Sequence, residues 1–122
     1  MADDLLLVLR GRYPEIFSSE HVREIACYPG WLHLLDELCR SLANHLDENP
    51  NVPPILARQV KEKFGGLRFY YQGGDDWCRT TVDEAQAASL SICEVCGRPG
   101  QLVGKRWVSV RCNEHIKGCI GE

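Results

Sequence analysis

The chain has 122 residues, of which 44% are apolar and 25% charged, and it carries a net charge of −3. That is room for one domain with one core, in the composition of a globular protein rather than a disordered or membrane-embedded one. The negative balance argues against general nucleic-acid binding, and the longest apolar run, Leu5 to Leu9, is far too short to span a bilayer.

Two aspartates, Asp3 and Asp4, precede that run, where a secretory leader would carry positive charge. The seven cysteines are an odd number, which fits thiols in a reducing compartment better than a disulfide framework. Charge is uneven along the chain. Met1 to Pro54 holds four Lys/Arg against nine Asp/Glu, a balance of −5, whereas Ile55 to Glu122 balances at +2. An acidic helical half is expected to meet a mildly basic half of strands and metal site.

From the N-terminus, Asp3 reads as the N-cap of a helix running to about Arg12, and Pro14 biases Tyr13 away from helix and ends it. Pro14 to Ser19 reads as a connection. Glu20 to Cys27 is expected to form a short helix with Val22, Ile25 and Ala26 inward, followed by a break at Pro29-Gly30. The strongest helix is Trp31 to Glu48, where Trp31, Leu35, Leu38, Leu42 and Leu46 recur at helical spacing, widened by Leu34 and Cys39. His33 and His45 lie at its edges and read as ordinary surface or half-buried histidines.

After an Asn/Pro loop from Asn49 to Pro54, the pattern changes to strands. Gln59 to Phe64 and Leu67 to Tyr71 flank Gly65-Gly66, which predicts a tight two-residue hairpin. In that register Phe64 faces Leu67, Glu62 faces Phe69 and Val60 faces Tyr71, while Lys63 faces Arg68 and Lys61 faces Tyr70. Glu62 then falls on the apolar face and needs a partner. Lys61, Lys63 and Arg68, with Tyr70 beside them, form a basic surface suited to phosphate or to a carboxylate-rich protein face. Gly73 to Trp77 reads as a loop. Thr81-Val82-Asp83-Glu84 matches a capping box that opens a helix to about Ser91, with Ala85, Ala88 and Ile92 packing closely and Cys78 an ordinary thiol.

The last stretch carries the chemistry. Two residues separate Cys93 from Cys96, fifteen separate Cys96 from Cys112, and two separate Cys112 from His115. Two close pairs around a long spacer is the pattern of a structural zinc site. Gly97, Pro99 and Gly100 supply turn chemistry beside the first pair. The spacer has room for a hairpin, Gln101 to Val103 and Trp107 to Val110, with Gly104-Lys105-Arg106 at its tip. Three thiolates and one imidazole close a tetrahedral shell, so the expected cofactor is one Zn²⁺ in a structural role. Cys119 is an alternative fourth donor, but the two-residue gap favours His115.

Gly30-Trp31 with a leucine helix, Gln59 to Tyr70 (QVKEKFGGLRFY), Cys-Glu-Val-Cys-Gly and a final Cys-x-x-His together resemble a group of small phage and prophage zinc-knuckle proteins. The resemblance spans about Trp31 to His115, and the hairpin motif is its specific part. It implies an accessory role in the bacterial host cytoplasm and brings no catalytic residue. The group implies no defined activity; many small phage proteins act by binding and blocking a host defence complex, anti-CRISPR proteins among them.

The expected architecture is α+β in a single domain over 1–122: a helical part (1–54), a β-hairpin and helix (55–92), and a zinc-ribbon-like lobe (93–122), with the N-terminal helices packed on the hairpin. The expected function is non-enzymatic binding of a host protein or protein–nucleic acid complex, through Lys61, Lys63, Arg68 and Tyr70. An alternative is a nucleic-acid-binding regulator using Arg98, Lys105, Arg106, Trp107 and Arg111 of the zinc lobe, with Lys117 nearby. No glycine-rich phosphate loop or metallohydrolase helix motif is present. Ile92 stands where a zinc deaminase would have proline before its first cysteine, and no His-x-Glu segment precedes it. No small-molecule substrate and no membrane partner are expected.

Overall fold

In the computed structural model, which describes residues 2–18, 20, 22, 24–104 and 108–115, the chain is α+β. The described residues form three α-helices, a three-stranded sheet and a separate two-stranded hairpin. Helix α1 (Ala2–Arg12) stops two residues before Pro14, as the proline ring requires. Asp3 lies inside that helix, not ahead of it. Leu5, Leu6 and Leu9 are buried, and Leu7 faces out.

The connection that follows is part of the core. Ile16 and Phe17 are buried. The Arg10 guanidinium holds the segment by donating to the Phe17 and Val22 carbonyls at 2.9 and 2.8 Å. The described residues between Glu20 and Cys27 are not helical, against the short helix expected there. Ile25–Ala26 is instead a two-residue strand, β1. Ile25 is buried and Ala26 exposed, the alternation of a strand. β1 pairs in parallel with the next strand, Ile25 opposite Val60, and that pairing outweighs the weak helical preference of a segment with β-branched Val22 and Ile25.

A 3₁₀ turn, Pro29–Trp31, runs directly into α2 (Leu32–Glu48). The expected stripe is inward: Trp31, Leu35, Leu38, Cys39 and Leu42 are buried, with Leu34 and Leu46 packed against the same cluster. At the start of α2, Asp36 accepts from the Tyr13 hydroxyl at 2.8 Å and pairs with Arg12 at 3.0 Å and Arg40 at 3.2 Å. This ties the end of α1 to α2.

Strand β2 (Leu56–Lys63) lies between β1 and β3 (Gly66–Gln72). The hairpin turn sits one residue earlier than its Gly-Gly pair predicts. Phe64 and Gly65 are the central residues, and Lys63 pairs with Gly66. Both carry positive φ, 53° and 85°, as in a type I′ turn. The shift brings Val60 opposite Phe69 and Glu62 opposite Leu67, with Val60, Leu67 and Phe69 buried. It also answers the Glu62 question, because its carboxylate accepts the Gly65 N–H at 2.7 Å and so closes the turn. Lys61, not Lys63, is opposite Arg68, and Gln59 is opposite Tyr70. A bulge at Arg58 then sets Tyr71 opposite Ala57.

Helix α3 (Asp76–Ala88) begins well before the Thr81 capping box. Its cap is Asp75, whose carboxylate accepts the Cys78 N–H at 3.0 Å. The loop is therefore shorter than expected, and Thr81 is mid-helix, donating back to the Trp77 carbonyl. The helix continues into a 3₁₀ turn, Ser89–Ser91. α3 lies along the open edge of β3 and covers it. The Phe69 N–H donates to Gln86 Oε1, and the Leu67 N–H to Ser89 Oγ, both at 2.9 Å. Edge donors that would otherwise be free to pair with another chain are thereby occupied.

One apolar cluster runs from Leu5 to Ala85 through all three helices and the three-stranded sheet, with Ile92 packed against it. The opposite face of the sheet carries Gln59, Lys61, Lys63, Arg68 and Tyr70. No helix among the described residues is long and apolar enough to cross a membrane.

Candidate metal centre

The C-terminal lobe hangs from Ile92 by short-range geometry. The Cys93 carbonyl accepts the Gly97 N–H at 2.9 Å and the Cys93 N–H donates to the Arg98 carbonyl at 2.7 Å. This turns the backbone tightly enough for Cys93 and Cys96 to point at one spot, and Gly97 takes the positive φ of 83° that the turn needs. Strands β4 (Gln101–Val103) and β5 (Ser109–Arg111) pair antiparallel, Leu102 opposite Val110. They return the chain so that Cys112 and His115 meet the first pair. The expected tip residues Lys105, Arg106 and Trp107, as well as Lys117 and Cys119, lie outside the described residues.

The four donor atoms all lie within 4.8 Å of one another. Cys93 Sγ is 3.5 Å and Cys112 Sγ 3.1 Å from His115 Nδ1, and Cys96 Sγ is 3.6 Å from Cys112 Sγ. Zn–S bonds of about 2.3 Å and a Zn–N bond of about 2.0 Å place tetrahedral neighbours roughly 3.5–3.8 Å apart, so the cluster has the dimensions to hold one metal ion. At 3.6 Å the Cys96 and Cys112 sulfurs are close but not joined in a disulfide.

Electrostatics favour the thiolate at two of the four donors, Cys93 and Cys112. Burial, the largest influence on Cys93, pushes its thiol up. Backbone N–H groups of Cys112, Cys96 and Val95 and the His115 ring outweigh it and bring Cys93 down to about 6. Burial likewise opposes the lowering of Cys112, which the Glu114 N–H and Cys96 produce. The Arg98 N–H pulls the Cys96 thiol down, but desolvation and the Cys112 and Cys93 sulfurs outweigh it and leave that thiol raised, and contacts with Cys112 and Cys93 raise the His115 imidazole. Thiolates near neutral pH are what a soft divalent ion requires.

The lobe is keyed to the body through its knuckle. Gly30 N–H donates to the Glu94 carbonyl at 2.7 Å, and the Trp31 indole N–H donates to the Ile92 carbonyl at 3.0 Å. Glu94, though charged, is only 4% exposed. Its carboxylate takes the Tyr28 N–H at 3.2 Å and pairs with Arg111 at 3.2 Å, and Arg111 also lies 5.5 Å from the Tyr28 ring centroid. Burial, as the largest cause, raises the Glu94 carboxyl above its ordinary value against these partners. Glu94 carries no signal in the sequence beyond its place between two cysteines.

The expected nucleic-acid residues that are described have structural partners. Arg111 is 13% exposed and bound to Glu94, and Arg98 pairs with Glu114 at 2.8 Å. The hairpin residues Lys61, Lys63, Arg68 and Tyr70 stand together on the open sheet face.

A second group, His45, Asp75 and Cys78, also gathers within 4.8 Å. Its hydrogen bonds assign it a different role. The Asn49 amide donates toward His45 Nδ1 at 3.3 Å and to the His45 carbonyl at 2.9 Å. That leaves the ring proton on Nε2, which meets Asp75 Oδ2 at 2.9 Å, so the nitrogen facing the cluster is not a free lone pair. Trp77 stacks on the ring, with centroids 4.1 Å apart. The His45 contact, then the Cys78 N–H, hold the Asp75 carboxyl down at about 2. The trio clamps the end of α2 to the start of α3.

No protein-family model matches the chain, and no curated protein or solved structure matches it.

Proposed function

We propose that this chain is a non-enzymatic protein-binding module whose C-terminal lobe is clamped by one structural Zn²⁺. Following the resemblance of its hairpin and knuckles to small phage and prophage proteins, it acts in the bacterial cytoplasm by covering a surface of a host defence complex. A structural role for the metal follows from the donor count, since four protein donors leave no open position for a reacting ligand. A groove of about 260 Å³ beside α1 and α2 offers little to a substrate. It is smaller than common ligand pockets of roughly 300–1,000 Å³, and two of its polar side chains, Arg12 and Tyr13, are committed to Asp36.

The observation that carries the reading is the pattern of charge pairing. Among the described residues, Arg12, Arg40, Arg79, Arg98 and Arg111 each have a carboxylate within 4 Å, and Arg10 is spent on two carbonyls. The hairpin cations are the exception. Arg58 bonds the Gln72 amide and Arg68 the Leu67 carbonyl, and Lys61 and Lys63 have no carboxylate partner among those residues. A sheet face left cationic beside an acidic helical half fits an acidic protein partner.

The test is affinity capture from host lysate with the zinc-loaded chain and with Lys63→Glu/Arg68→Glu. A defence component retained by the parent and lost by the charge-reversed variant is expected; equal retention by both refutes the assigned face. Native mass spectrometry should find one zinc per chain, and a folded chain without metal refutes the clamp.

A further inference from the structure

The hairpin turn holds an aromatic residue where the backbone disfavours one. Phe64 has φ of 53°, a conformation glycine or asparagine adopts at far lower cost than a bulky side chain. Its ring is 73% exposed, so packing within the fold recovers little of that strain. The strand register and the Glu62 contact set the turn there, but they do not call for an aromatic side chain at its first position, and residues held in disfavoured conformations cluster at functional sites.

Phe64 is not alone. A Cβ on Gly65 would lie 2.4 Å from Leu102 Cδ1, and one on Gly66 would lie 3.2 Å from Leu90 Cδ2. The two glycines thus let Leu102, from the zinc lobe, and Leu90, from the turn after α3, border the tip of the hairpin. Both leucines remain about half exposed, at 52% and 45%. Cations frame this apolar ground. Lys63 Nζ is 5.7 Å from the Phe64 ring centroid, an Arg68 guanidinium nitrogen comes within 3.4 Å of the same Gly66 position, and Lys61 pairs across from Arg68.

We infer that Phe64, Leu90 and Leu102, framed by Lys61, Lys63 and Arg68, form a docking surface for an acidic polypeptide segment bearing an apolar anchor, and that the zinc lobe completes this surface. The inference rests on the protein-binding reading above and deepens it. Charge complementarity sets the acidic class of partner, and the aromatic centre with a charged rim is the anatomy of a binding hot spot. Phe64 is the one ring of the patch that could stack on a base, and the two leucines beside it offer neither stacking nor a hydrogen bond to the next, which favours protein over nucleic acid. Face-to-face pairing of two copies through this patch would oppose like charges.

The zinc-loaded full chain is used to select from a random library of short displayed peptides. Enriched peptides should combine Asp/Glu with Leu, Phe or Trp, and should bind less tightly as salt rises. Phe64→Asn, Leu102→Ser and Lys61→Glu/Arg68→Glu should each weaken them by about tenfold or more, and chelation of the metal should do the same. Phe64→Asn is the decisive variant because it relieves the turn. Its melting temperature should equal or exceed the parent's, so a loss of binding cannot be a loss of fold. Peptides that bind Phe64→Asn as tightly as the parent overturn this surface while leaving the module reading intact. Enrichment of basic or uncharged peptides overturns the assigned partner class. Oligonucleotides binding in place of peptides, or no enriched peptide at all, overturn both. Self-association of the parent that Phe64→Asn abolishes, seen by sedimentation, gives the patch to a second copy and overturns the inference.

Discussion

Replacing Gly30 with alanine tests how the metal lobe is held to the body. An added Cβ would lie 2.3 Å from the Glu94 carbonyl oxygen, 2.4 Å from that of Cys93 and 2.5 Å from the Glu94 carbonyl carbon. All three are backbone atoms, so no side chain can swing away, and the lobe must retreat by about 1 Å. Retreat stretches the Gly30–Glu94 bond of 2.7 Å, the Trp31–Ile92 bond of 3.0 Å and the Tyr28–Glu94 bond of 3.2 Å. At about 0.5–1.5 kcal/mol for each bond, with overpacking of about 1–3 kcal/mol as the other route to relief, the expected loss is about 3 kcal/mol. For a chain of this size that is a fall in melting temperature of roughly 10 °C. Gly11→Ala is the control: nothing lies within 4 Å of its Cβ. In α1 that change should be neutral or stabilising by up to about 1 kcal/mol. Urea unfolding of the zinc-loaded proteins reads both. A Gly30→Ala variant within about 0.5 kcal/mol of the parent, with metal still bound, refutes the described docking.

Breaking the buried Glu94–Arg111 pair from one side, with Arg111→Met, should cost about 3–5 kcal/mol because a buried carboxylate is left without its cation; Glu94→Leu/Arg111→Met should recover much of it in the same unfolding assay. Ser89→Ala should cost about 1–3 kcal/mol, since the buried Leu67 N–H loses its acceptor, and hydrogen exchange at Leu67 should quicken. The Asp75 carboxyl, held at about 2 by His45 and the Cys78 N–H, is depressed in the folded chain. Its contribution is therefore complete above the ordinary carboxylate value of 3.8 and is lost as pH falls from there through about 2. A carboxyl resonance of Asp75 titrating near 2 by NMR is expected, and one near 4 contradicts the His45 contact.

The leucine helix, the start of the strand region and the Cys93, Cys96, Cys112 and His115 cluster were legible in the residues because each depends on local spacing. Helical period places Leu35, Leu38 and Leu42 on one side whatever surrounds them, and two short Cys/His gaps define a ligand set before any fold is known. Misreadings came where a local signal competed with a distant one. Val22 to Ala26 lacked a strand signal until β2 was beside it. The Gly65-Gly66 pair gave a hairpin but not its centre, which burial of Val60 and Phe69 and the Glu62 contact moved to Phe64-Gly65. Thr81-x-x-Glu84 was a valid cap motif that Asp75 pre-empted.

By itself, then, the sequence determined which segments could become helix, which could pair, and which four side chains could share an ion, because periodicity and ligand spacing are properties of the chain within a few residues. Tertiary structure alone decided that Glu94 would be buried as the key between lobe and body, that Gln86 and Ser89 would occupy the free edge of β3, and that Phe64, Leu90 and Leu102 would share one tip. Those outcomes depend on groups from 17 to more than 60 residues apart finding hydrogen bonds and close packing at once, a condition that no local pattern records.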